Sequence, residues 1–92
     1  MVLRFAGAVF TALGRSHGTL TFTSGDAPAR SAVRMLESIG LADCWQPAGP
    51  AWVKIHDSGP AWAEVSINVE LPCGTTLMGV APHLAAVGIV VG

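Results

Sequence analysis

The sequence predicts an α+β domain over residues 1–92: two β-hairpin-plus-helix (ββα) units forming one mainly antiparallel sheet of about four to five strands, with two helices on one face. Three observations carry this expectation. Apolar residues alternate with small or polar ones over two stretches of each half, apolar residues recur every three to four positions after each pair of stretches, and glycine follows each helical run.

In the first half, Leu3, Phe5, Val9 and Leu13 alternate with Arg4, Ala6, Ala8 and Ala12. Leu20 and Phe22 alternate with Thr19, Thr21 and Thr23, so two half-buried strands are expected around a turn at Gly14 to Gly18. Ser24 and Asp26 are helix-capping types, Pro28 suits a first turn, and Ala29, Ala32, Val33, Leu36 and Ile39 share one helical face. Arg30, Arg34 and Glu37 take the other face, and Gly40 is the stop signal.

Gln46 to Pro50 reads as the connector between the halves. The second half offers strands over Trp52 to His56 and Ala61 to Leu71, then the junction Pro72-Cys-Gly-Thr-Thr76. Leu77, Val80, Ala81 and Leu84 fall on one face of a second helix that ends at Gly88, and Ile89 to Val91 form a short last strand.

Gly-Pro-Ala-Trp occurs twice, at Gly49 to Trp52 and Gly59 to Trp62, and it holds two of the three tryptophans. A three-residue turn Asp57-Ser-Gly59 would set His56 opposite Pro60 and Lys54 opposite Trp62. Val53, Ile55, Ala61, Ala63, Val65, Ile67, Val69 and Leu71 then share the core face. Trp52, Lys54, His56, Trp62, Glu64, Ser66, Asn68 and Glu70 share the open one. A two- or four-residue turn would instead pair Ile55 with Trp62 and bring one indole into the core. In the first register, Trp52, Lys54, His56, Trp62 and Glu64 make an expected binding surface, because large aromatics beside a few charges are the composition of interface hot spots. The competing arrangement packs the tryptophans under the 41–50 segment or the N-terminal strand, against Phe10 and Trp45.

Composition narrows the function classes. Hydrophobic residues are 51% and charged residues 12%, where roughly 25% charged is usual. Such a chain has more apolar surface than one small core hides, and a protein partner or a second copy, as in a homodimer, is the expected cover. With five Lys and Arg against six Asp and Glu, there is no basic field for nucleic acid. The opening MVLRFAGAVF has the arginine and apolar run of a signal peptide but lacks a Leu-rich centre. Leu77 to Val91 is shorter than the ~20 residues of a membrane span and is broken by Gly79, Pro82, His83 and Gly88. Neither a membrane partner nor a transmembrane helix is expected, and with only Cys44 and Cys73 the expected compartment is the cytoplasm.

The candidate chemistry is thin. Cys73 lies between a strand and an expected helix start, where N–H groups and the helix dipole favour a thiolate or an anion. His17, His56 and His83 are the possible bases, and none is linked to Cys73 by a local signature. Cys and His spacings do not make a zinc site, and the glycine-rich turns lack a P-loop lysine, so no metal and no cofactor is expected. The function expected is a small non-enzymatic protein-interaction module of adaptor or inhibitor type. A thiol-dependent enzyme or a small-anion or small-ligand site at the Cys73 junction is the alternative.

Overall fold

The computed structural model describes residues 1–57 and 64–92. The chain runs β1 (Val2–Phe5), β2 (Ala8–Ser16), β3 (Thr19–Ser24), α1 (Ala27–Ser38), β4 (Gln46–Ala48), β5 (Ala51–Asp57), β6 (Val65–Glu70), a 3-10 turn (Met78–Val80), α2 (Ala81–Ala86) and β7 (Val90–Val91). Among the described residues the strands form one antiparallel sheet of seven, in the order β4-β5-β6-β3-β2-β1-β7. The class is α+β, with two helices as expected. The repeated unit is corrected from ββα to three strands and a helix. Two three-stranded meanders meet through β6 and β3 at the centre, and β7 extends the β1 end. The sheet curls enough for α2 to touch both β4 and β7.

The extra strand of the first half comes from a hairpin that the alternation conceals. Ala6 and Gly7, with φ of 51° and 80°, form a two-residue turn whose twist suits antiparallel strands, and Phe5 faces Ala8 across it. Each side-chain face changes parity there, because paired residues share a face. Leu3 and Phe5 are therefore followed inward by Ala8 and Phe10, with Leu3 and Phe10 fully buried. Val9 and Leu13, expected inside, are 44% and 69% exposed. Leu13 is the extra residue of a bulge between Ala12 and Gly14. The β2–β3 turn is His17-Gly18 alone, shorter than the expected Gly14 to Gly18 loop.

α1 starts where the capping pattern predicts. The Asp26 carboxylate accepts from the Ala29 N–H at 3.1 Å, and Pro28 occupies the first turn, where a missing N–H costs nothing. It ends with Leu41 N donating to Leu36 O and Gly40 N to Glu37 O, and Gly40 takes the left-handed conformation. α2 closes in the same way, through Ile89 N to Leu84 O and Gly88 N to Ala85 O. Ala29 and Val33 are buried. Leu36 is only half-buried and Ile39 is 62% exposed, because the chain turns away at the cap before Ile39 reaches the sheet.

The second helix is shorter than its apolar run. Pro82 lacks an N–H and would clash with a carbonyl four residues back, so the run divides into the 3-10 turn and α2. Leu77, Val80 and Leu84 are still buried. They join Phe10, Phe22, Ile67 and Ile89 in one cluster beneath one face of the sheet. Each such side chain contributes about 1.5–3 kcal/mol through removal from water. The other face carries no helix of the described chain and is the open face.

Candidate functional site

Positions of the expected binding residues follow from the β5–β6 register. Trp52 faces Glu70, Lys54 faces Asn68 and His56 faces Ser66. The expected partners of Lys54 and His56, Trp62 and Pro60, are therefore corrected by a shift of six residues. An even shift preserves the faces, so Val53, Val65, Ile67, Val69 and Leu71 are buried and Trp52 is 46% exposed on the open side. Glu64 is exposed just ahead of β6. Trp62, with Pro60, Ala61 and Ala63, lies outside the described residues.

The start of the expected Gln46 to Pro50 connector, with the residues just ahead of it, supplies a second row to this surface. Pro47 of β4 lies opposite Trp52. The same antiparallel path continues toward the N-terminus, with Asp43 N donating to Ile55 O at 2.9 Å. Side chains two residues apart then line up with those of β5. Lys54 Nζ is 5.0 Å from the centroid of the Trp45 ring, and His56 Nδ1 pairs with Asp43 Oδ1. Trp45 is 40% exposed, so the cation lies over an indole that still presents surface to a partner. An exposed contact of this kind contributes about 0.5–1 kcal/mol. The His56 and Asp43 side chains are 41% and 62% exposed, and their pairing orients the ring more than it stabilises the fold.

Toward the sheet centre the open face changes character. Thr21 Oγ1 donates to Asn68 Oδ1 at 3.0 Å, Asn68 Nδ2 to Ser66 Oγ at 3.3 Å, and Ser66 Oγ to the His56 carbonyl at 3.4 Å. These bonds tie β3, β6 and β5 together on a polar strip. Among the described residues the exposed indoles lie at the β4–β5 end, where Trp45 and Trp52 flank Lys54.

Asp43, Trp45 and Pro47 were legible only as every second residue of a short stretch. Pro47 argued against a strand there, because proline cannot donate to a ladder, and it is tolerated because β4 lies at the sheet edge.

Cys73 is exposed in a turn closed by Thr75 N donating to Pro72 O at 3.0 Å. It precedes the 3-10 turn and stands well ahead of α2, which corrects its expected place at a helix N-terminus. Thr76 Oγ1 takes the Gly79 N–H at 3.1 Å. The histidines are dispersed: His17 lies in the β2–β3 turn, His56 is held by Asp43, and the His83 ring lies against Gly49. Among the described residues, no three His, Cys, Asp or Glu side chains cluster as metal ligands, and no helix is long and apolar enough to cross a membrane. No family model, curated protein or solved structure matches this chain.

Proposed function

We propose that this chain is a small non-enzymatic protein-interaction module of adaptor or inhibitor type. It binds a protein partner or a second copy of itself through the aromatic end of its open sheet face. The observation that supports this reading is the pair of exposed indoles, Trp45 and Trp52, on either side of a lysine held over one ring. Large, rigid aromatics bury much area at small entropic cost, and the charges around them set orientation more than affinity. Trp52, Lys54 and His56 belong to the surface with Trp45 and Asp43, and Glu64 is exposed just ahead of β6; Trp62, expected in the same surface, lies outside the described residues. The first partner to test is a second copy, since a 51% hydrophobic chain with 12% charged residues gains most by covering its own surface. The reading places the protein in the cytoplasm, where Cys44 and Cys73 stay reduced, and assigns it neither nucleic acid nor membrane. It needs no cofactor.

The test is light scattering over a dilution series, with emission recorded from a variant that keeps Trp52 as its sole tryptophan. A dimer whose emission moves to the red on dissociation supports self-association through this face. A dimer whose Trp52 emission is indifferent to dissociation overturns that assignment. A monomer at all concentrations removes the homodimer and leaves a different protein as the partner. The thiol-enzyme alternative at Cys73 has less support, since the helix start that was to activate the thiol lies elsewhere.

A further inference from the structure

The face of the sheet that packs on the helices is not completely filled. A cleft of about 370 Å³ opens where the curled sheet brings its β4–β5 end toward β1 and β7. Its origin lies in the two helix ends. α1 stops at Ser38 and turns out at Gly40, leaving Ile55 and Leu36 only half-buried at the cleft, with Val53 at its floor. α2 stops at Ala86, so Val87 and Ile89 form the opposite wall, with Phe5 between the two. Leu41 closes the α1 side, and Cys44 and Gln46 are the polar residues of the lining. These two residues alternate with Asp43 and Trp45, so they project away from the open aromatic face, and Pro47 of the edge strand also borders the cleft.

We infer that this cleft is a binding site for one compact, neutral, mainly hydrocarbon molecule, aromatic or alicyclic. Size and charge select this occupant. The volume lies at the lower end of ligand pockets, roughly 300–1,000 Å³. One turn of a partner's helix, about 10 Å across and about 5.4 Å high, already exceeds this volume. None of the described lining residues carries a charge, so an ionised group inside would have no counter-ion and would meet a large desolvation cost. An apolar ligand meets no such cost, and it supplies contacts that the half-buried Ile55 and Leu36 otherwise lack. Gln46 Nε2 already donates to Leu41 O at 3.4 Å, which holds the amide at the rim.

Cys44 makes the site testable without altering it, because Cys44 lines the cleft and Cys73 does not, while both are exposed free thiols. The probe is N-phenyl-1-naphthylamine, neutral and of suitable size. It is titrated into the intact chain, and iodoacetamide alkylation of each cysteine is followed by peptide mass. The expected result is saturable fluorescence with one probe per chain, together with about tenfold slower alkylation of Cys44 and an unchanged rate at Cys73. Ile55→Trp, which fills the cleft, should abolish the signal, and Trp52→Ala should retain it. Should Ile55→Trp fail to fold, Cys44 protection in the unaltered chain still decides. Non-saturable binding, or equal alkylation of Cys44 with and without probe, overturns the assignment. So does light scattering that shows a dimer which the probe dissociates into monomers, since a second copy then competes for the cleft.

Discussion

Lys54 Nζ lies 5.0 Å from the centre of the Trp45 ring, joining β5 to the chain just ahead of β4. The contact is possible because Asp43, Trp45 and Pro47 continue the β4 path opposite His56, Lys54 and Trp52. Lys54→Met keeps the aliphatic stem and removes the cation. The expected stability loss is below about 1 kcal/mol, the range of an exposed cation–π contact. In a variant with Trp45 as sole tryptophan, the emission should change on this substitution. Identical spectra would mean that the pair is not maintained in solution.

Trp52 is the side chain on which the proposed interface depends most. Trp52→Ala should raise the dissociation constant of the dimer or complex by at least ~30-fold, a hot-spot effect of about 2 kcal/mol. The midpoint of thermal unfolding should fall by less than about 8 °C, equivalent to roughly 1 kcal/mol in a domain of this size. A much larger loss of stability, parallel to the loss of binding, would identify Trp52 as a core residue instead.

Gly49 opens the β4–β5 turn with a φ of 61°, and a Cβ placed on it would lie 2.3 Å from the His83 ring of α2. Two separate costs therefore oppose Gly49→Ala: left-handed backbone strain of about 1 kcal/mol or more and the clash with the ring. The combined loss expected in urea denaturation is about 2–3 kcal/mol. In a His83→Ala background the clash is gone and the loss should fall to the strain alone. Equal losses in both backgrounds would show that His83 does not pack on this turn.

The change of parity at Ala6-Gly7 makes opposite predictions for neighbouring residues. Phe10 is fully buried, and Phe10→Ala should cost about 3–5 kcal/mol. Leu13 is 69% exposed at the bulge, and Leu13→Ser should stay within about 0.5 kcal/mol. Comparable losses at the two sites in chemical denaturation would contradict the hairpin.

Much of the site was legible through alternation alone. The sorting of β5 and β6 survived a six-residue change in pairing because side-chain direction depends only on whether a shift is odd or even. What stayed hidden was each element whose signal depends on a distant partner. Ala6 does not announce a left-handed turn, and Pro47 argues against a strand unless its place at the sheet edge is known.

The sequence by itself determined the short-range features: α1 from its Asp26 cap to Gly40, the close of α2 at Gly88, and Trp52 and Lys54 on one face with Val53 and Val69 on the other. Capping and alternation are satisfied within a few residues, so their pattern is local. Only the tertiary structure decided that two meanders join through β3 and β6, that Trp45 meets Lys54, and that both helices stop short around an apolar cleft. Those outcomes depend on contacts between residues far apart in the chain, and their cost in loop entropy is offset only when the whole sheet forms.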